Sequence, residues 1–146
     1  MWHFEHTVIA EASVQTIWKL YSDISSWVEW DKEIDSASLE GPFIAGIQGV
    51  LQPKGQGPMA FELTEVDPPR RFAKIADIPG AGIHIEFIHR LQQTHKGTAI
   101  THEVNITGPN AEQLGPQWGA RIAQGLPSTM QGLAAAAVKR ERQQGA

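Results

Sequence analysis

The chain contains no cysteine. That excludes disulfides, thiolate metal sites and cysteine nucleophiles, and it fits a reducing, cytoplasmic setting. Positive charge is scarce too: the formal net charge is -4. A mildly acidic chain gains nothing from counterion release on DNA or RNA, so no nucleic-acid partner is expected. The one basic cluster runs from Lys139 to Arg142. In the last turns of a helix such cations offset the macrodipole. No apolar run is long enough to span a bilayer, so membrane insertion is not expected. No basic start leads into an apolar stretch, so no signal peptide is expected either.

What is present is ordinary globular material. The chain has 146 residues, 41% hydrophobic and 19% charged. That suggests one domain, residues 1–146, able to bury a core without staples. No internal repeat or linker interrupts it.

Trp2, Phe4, His6 and Val8 alternate along one face, which predicts a first strand. Ser13 reads as a helix N-cap. Val14, Ile17, Trp18 and Tyr21 follow at helical spacing. The helix should break near Ser25 and restart as a turn through Trp27. Thereafter short runs end at Gly or Pro: Ile34 to Gly41-Pro42, Gly49 to Pro53, Met59 to Pro68, Arg71 to Pro79, Gly82 to Gln93 and Thr98 to Thr107. This punctuation predicts an antiparallel meander. From about Asn110 to Arg142 the pattern becomes helical, with Leu114, Trp118, Ile122, Leu126, Met130, Leu133 and Ala137 on one stripe. Pro127 should kink that helix, and Gly119, Gly125 and Gly132 should weaken it.

The order is strand, short helix, about six strands, long helix, an α+β arrangement. A strongly twisted sheet can wrap around a single long helix, leaving space beneath its concave face.

The fragments "IAEAS", "SSWVEWD", "LEGPF", "LTEVDPPRR", "FIHRL", "GTAITHEV" and "GLP" follow one another in an order and spacing that resemble a known family. It is that of the polyketide cyclase/dehydrase-type proteins, within the START or birch-pollen-allergen-like (SRPBCC) superfamily. The resemblance covers nearly the whole chain. It implies a helix-grip fold, a curved antiparallel sheet of six or seven strands around the C-terminal helix, with a small-molecule cavity between them. It does not imply one reaction, since its members include cyclases and lipid carriers. Val14 departs from the family, in which proline commonly follows the capping serine.

The cavity expected from this resemblance is of the usual ligand-site size, roughly several hundred Å³. Its candidate lining is Trp27, Trp30, Met59, Phe61, Phe87, Trp118, Ile122 and Met130. Methionines and aromatics suit a permissive apolar site, and they equally suit a solid core. Trp27 continues the stripe of Trp18 and reads as core, whereas Trp30 suits either core or rim.

The histidines are the sharper signal. Ile83, Ile85, Phe87, His89 and Leu91 share one face of a strand. Thr98, Ile100, His102, Val104 and Ile106 share one face of the next. A loop at Thr94 to Gly97 pairs Gln93 with Thr98, and the same register pairs His89 with His102, with Cβ atoms about 5 Å apart. Two buried histidines can simply satisfy each other or the backbone. On a cavity wall they are also candidate catalytic acid/base groups. His6 extends the pair into a row if the first and last strands pair, as they do in the resembling fold. No acidic partner for a zinc ion is evident, so neither a metal nor a cofactor is expected.

Three functions follow as alternatives. One is a binding module for an apolar or aromatic small molecule of the lipid, polyketide or isoprenoid class. Another is a polyketide cyclase/dehydratase. The last is a protein-interaction domain with a vestigial cavity. The sequence leaves ligand identity and oligomeric state open.

Overall fold

The computed structural model describes residues 1–145. Seven antiparallel strands form one sheet in the order β1-β7-β6-β5-β4-β3-β2. They are β1 (Trp2–Ala10), β2 (Ile34–Leu39), β3 (Gln48–Pro53), β4 (Met59–Asp67), β5 (Arg71–Ile78), β6 (Ile83–Thr94) and β7 (Gly97–Thr107). Two short helices follow β1, α1 (Val14–Ser22) and α2 (Trp27–Trp30), linked by a 3-10 turn over Ile24–Ser26. The long helix α3 (Ala111–Gln144) closes the fold. This is the expected helix-grip architecture, a curved sheet around its C-terminal helix.

Ser13 caps α1 as its sequence position suggests. Its Oγ accepts from the Thr16 amide at 3.2 Å. A long-range partner reinforces the cap: Glu141 near the end of α3 accepts from the Ser13 amide and the Thr16 hydroxyl, both at 2.7 Å. The carboxylate thus meets one free amide and one hydroxyl at a helix N-terminus and ties the two helices together. These hydrogen bonds hold the Glu141 carboxyl below its usual range. At the other end of α1, the indole of Trp27 donates to the Tyr21 carbonyl at 2.8 Å and the Ser26 hydroxyl donates to the Leu20 carbonyl at 2.8 Å. The helix therefore stops without stranding its last carbonyls.

The concave face and the second half of α3 form the core. Ile17, Leu20, Tyr21, Leu63, Phe72, Ile100, Val104, Met130, Leu133 and Ala137 are fully buried. Helix α3 continues through Pro127 and does not end there. Leu126, Met130 and Leu133 are buried on either side of the proline, and that packing holds the segment helical despite the lost hydrogen bond.

The first half of α3 departs from the expected stripe. Its inward positions are Gly115 and Gly119, both buried, while Leu114, Trp118 and Ile122 are only half-buried. The cause is Trp2 on β1. A Cβ on Gly119 would meet the Trp2 ring at 2.3 Å, and one on Gly115 would meet the Trp2 Cβ at 3.1 Å. Gly132 lies similarly close to the Trp30 carbonyl oxygen, at 2.5 Å from a built Cβ. These glycines lower helix propensity, but they let α3 approach the residues beneath it. Trp118 and Ile122 are consequently turned sideways, beside the space between sheet and helix.

Candidate functional site

That space is a cavity of about 230 Å³, partly open to solvent. It is smaller than the several hundred Å³ expected. Trp27, Trp30, Met59, Phe87, His89, His102, Trp118 and Ile122 line the cavity. Phe61 and Met130, expected beside them, do not. Phe61 lies behind Trp27, their rings stacked with centroids 6.1 Å apart. Met130 is sealed in the core.

The two tryptophans after α1 are both buried, at 2% and 4% exposure for Trp27 and Trp30. Trp30 is therefore wall and not exposed rim. Its ring packs edge-on to Tyr21 at 6.1 Å. Its indole Nε1 is buried and, among the described residues, has no hydrogen-bond partner.

The histidine register is the one expected from the hairpin. His89 is directly opposite His102, and His6 is opposite His102 on the other side. The His89 and His102 rings meet edge to face at 4.4 Å. The His89 ring also stacks flat on Phe72, 4.0 Å away and 3° from parallel. His102 Nε2 and the Tyr21 hydroxyl share a hydrogen bond of 2.8 Å. His89 Nδ1 is buried without a hydrogen-bond partner among the described residues. Burial, with the nearby Lys74 cation, pushes His102 down to about 3. Burial and the neighbouring His102 and Lys74 hold His89 well below its ordinary value. Both imidazoles are neutral at pH 7. Among the described residues no group of three or more His, Asp or Glu is gathered closely enough to hold a metal ion.

Two site residues were not singled out from the sequence. Tyr21 was placed on an apolar helix stripe, and nothing in its spacing announces a partner 81 positions away. Lys74 is the larger omission. It lies on β5 between Phe72 and Ala76, all three buried on the concave face. Strand parity alone carries that signal, because Lys74 alternates with Phe72 as His89 does with Phe87. Lys74 is only 7% exposed and lines the cavity. Its Nζ lies 4.9 Å from the Trp27 ring, 5.2 Å from Phe61 and 5.0 Å from Phe87. Burial lowers its pKa to about 8, against an opposing pull from Asp31. Asp31 is itself raised by burial, with its carboxylate accepting from the Glu33 amide at 3.0 Å.

Chemically, the cavity offers apolar and aromatic walls, two neutral imidazoles and one buried ammonium, with further charged side chains, Asp31, Glu33, Lys54, Glu103 and Arg121, also lining it. It suits a molecule that is mainly apolar with few polar atoms.

The family model described as polyketide cyclase / dehydrase and lipid transport matches residues 1–146. The chain belongs to that family. No curated protein matches it in sequence. Among solved structures it is similar to protein MLL2253 from Mesorhizobium loti, with TM-score 0.77 and 13% identity over 95% of this chain and 98% of that one. It is similar to the di-domain ARO/CYC StfQ from the steffimycin biosynthetic pathway, with TM-score 0.77 and 10% identity over 95% of this chain and 51% of that one. It is also similar to Ara h 8.0201, with TM-score 0.77 and 11% identity over 94% of this chain and 98% of that one. At these identities the likeness establishes the shared fold.

Proposed function

We propose that this member of the polyketide cyclase / dehydrase and lipid transport family encloses a compact apolar or aromatic small molecule, of the lipid, polyketide or isoprenoid class, between its sheet and α3. The observation that carries the reading is the cavity itself. It is a partly open space of about 230 Å³ walled by Trp27, Trp30, Met59, Phe87, Trp118 and Ile122. Typical ligand sites span roughly 300–1,000 Å³. The smaller size favours a compact frame over an extended acyl chain wholly inside. No described helix is long and apolar enough to cross a membrane, and the cysteine-free chain suits a cytoplasmic carrier or enzyme.

The test is saturable binding of an apolar fluorescent probe, with quenching of tryptophan emission, in wild type and in Ile122→Trp. Ile122 is half-buried on the cavity wall. The larger side chain should block the cavity and abolish binding while the fold survives. Binding that persists in the blocked variant would place the ligand elsewhere and end this reading.

A second reading is favoured by the two neutral imidazoles on the wall. In it the protein is a polyketide cyclase/dehydratase. His89 or His102 takes a proton beside a substrate carbonyl, and the cavity holds the chain in its reactive pose. Turnover of a poly-β-carbonyl substrate, lost in both His89→Asn and His102→Gln with ligand binding retained, is its expected signature. Unchanged turnover in both variants would leave the histidines structural.

A further inference from the structure

A charge is costly in an apolar site unless something compensates it. Lys74 has only partial compensation from its own chain, the attraction of Asp31, which lies beyond salt-bridge distance. Its side chain forms none of the salt bridges of the described residues. What surrounds the Nζ is the faces of Trp27, Phe61 and Phe87. Such faces stabilise a cation modestly, and they leave its N–H donors without an acceptor. The strand puts Lys74 there by parity, opposite Phe87 on β6. The ammonium is held on the wall, 93% buried by residue, at a cavity large enough for a ligand.

We propose that Lys74 is a carboxylate-binding residue, so that the molecule enclosed by the cavity is a compact apolar or aromatic acid. The inference rests on the cavity reading above and names the chemical class of its occupant. The carboxylate would accept a charge-assisted hydrogen bond from Nζ while the apolar frame lies against Trp118, Phe87 and Met59. The rings around the lysine lower the local dielectric, which strengthens the pairing. The other charged or titratable groups on the cavity wall do not supply the same setting. Arg121 and Lys54 are exposed, Asp31 and Glu33 repel a carboxylate, the Glu103 carboxylate is an anion already held by Arg90 and Asn105, and His89 and His102 are neutral. Bringing an anion to Lys74 also reverses the penalty that burial places on its protonated form. Binding the acid should therefore be coupled to proton uptake near the lysine's pKa of about 8.

The test compares 2-naphthoate with methyl 2-naphthoate by calorimetry on wild type, Lys74→Met and Lys74→Arg. Lys74→Met keeps an unbranched apolar stem and removes a buried charge, so it should fold at least as well as wild type. Wild type should bind the acid about tenfold or more tightly than the ester. Lys74→Met should bind the two alike, and Lys74→Arg should keep a preference for the acid. At about pH 8.5 the heat of acid binding should vary with the buffer's ionisation enthalpy, and that of the ester should not. Equal binding of acid and ester by wild type overturns the lysine's role and leaves the cavity reading standing. A preference for the acid that survives in Lys74→Met overturns it too, because the anion is then held elsewhere. Failure of wild type to bind either compound removes both the cavity reading and the lysine's role.

Discussion

Neighbouring residues on β6 and β7 live under opposite electrostatics. His89 and His102 face the cavity; Arg90 and Glu103, the next residue on each strand, face outward. The outward pair is well satisfied. Arg90 donates to Glu103 at 2.5 Å and to Glu5 at 3.1 Å, and Asn105 donates to Glu103 at 3.0 Å. Burial pushes the Glu103 carboxyl up, but the hydrogen bonds from Asn105 and Arg90 outweigh it and leave it below its usual range. His3, hydrogen-bonded to Asn105 at 2.7 Å on the same outer face, is raised by that contact. On the inner face the order inverts. There burial dominates, and His89, His102 and Lys74 are all driven toward their neutral forms. One step along a strand thus decides whether a charge is paired near water or stripped of it.

The hardest way to break the contrast is to put an acid on each face. Ile100 is fully buried on β7, and Thr101, the next residue, points outward toward Arg90. Ile100→Asp should cost about 5 kcal/mol or more, or prevent folding, because a buried carboxylate there has no partner. Thr101→Asp should stay within about 1 kcal/mol. Denaturant titration of both variants reads the difference, and similar losses would mean that the two faces are not distinct.

Acid titration probes the histidines. The folded pKa of His102 is about 3 against an ordinary 6.5, so the native state binds fewer protons than the unfolded chain between these values. Stability is complete above the unfolded pKa and falls as pH drops from about 6.5 toward 3. His102 alone accounts for about 4 to 5 kcal/mol of that loss. NMR should find His102 still neutral at about pH 5 and His3 titrating above its ordinary value. His102→Gln should flatten the acid limb. An unchanged limb would assign the acid sensitivity to other groups.

Lys74 gives a smaller effect of the same sign. Its folded pKa of about 8 lies below the ordinary 10.5. The unfolded chain therefore holds the proton more tightly, and stability falls as pH drops from about 10.5 to 8. Lys74→Met should raise stability at pH 7 by about 3 kcal/mol and remove that alkaline rise. A destabilised Lys74→Met would mean that the ammonium contributes more through its aromatic neighbours than burial takes away.

The smallest effect belongs to the outer face. A double-mutant cycle on Arg90 and Glu103 should give about 0.2–1 kcal/mol, diminished by salt, because the pair remains partly hydrated. A coupling of several kcal/mol would show that the outer face is as dry as the inner one.

Much of this contrast could be read from the residues in order. The alternation around His89 and His102, with the loop that joins their strands, identified both the inward faces and the pairing. Those signals are local, because strand parity and a tight turn connect residues close in the chain. The inward position of Lys74 was equally available by parity. Its polarity masked it, since a lysine within a strand usually marks a solvated face. The stripe on α3 was legible in its second half and misleading in its first. There the volume of Trp2, more than a hundred residues earlier, makes glycines the inward residues and turns Trp118 and Ile122 aside.

By itself the sequence determined the order of the elements, the faces of the strands and the register that sets His89 against His102. Periodicity, capping and turn chemistry act over a few residues and need no knowledge of the rest of the chain. Only the tertiary structure decided how much of the enclosed space stays empty. It also decided that Tyr21 reaches His102, and that three rings from α2, β4 and β6 close over Lys74. Packing volume and dielectric depend on side chains that distant segments bring together, and no spacing within one segment encodes them.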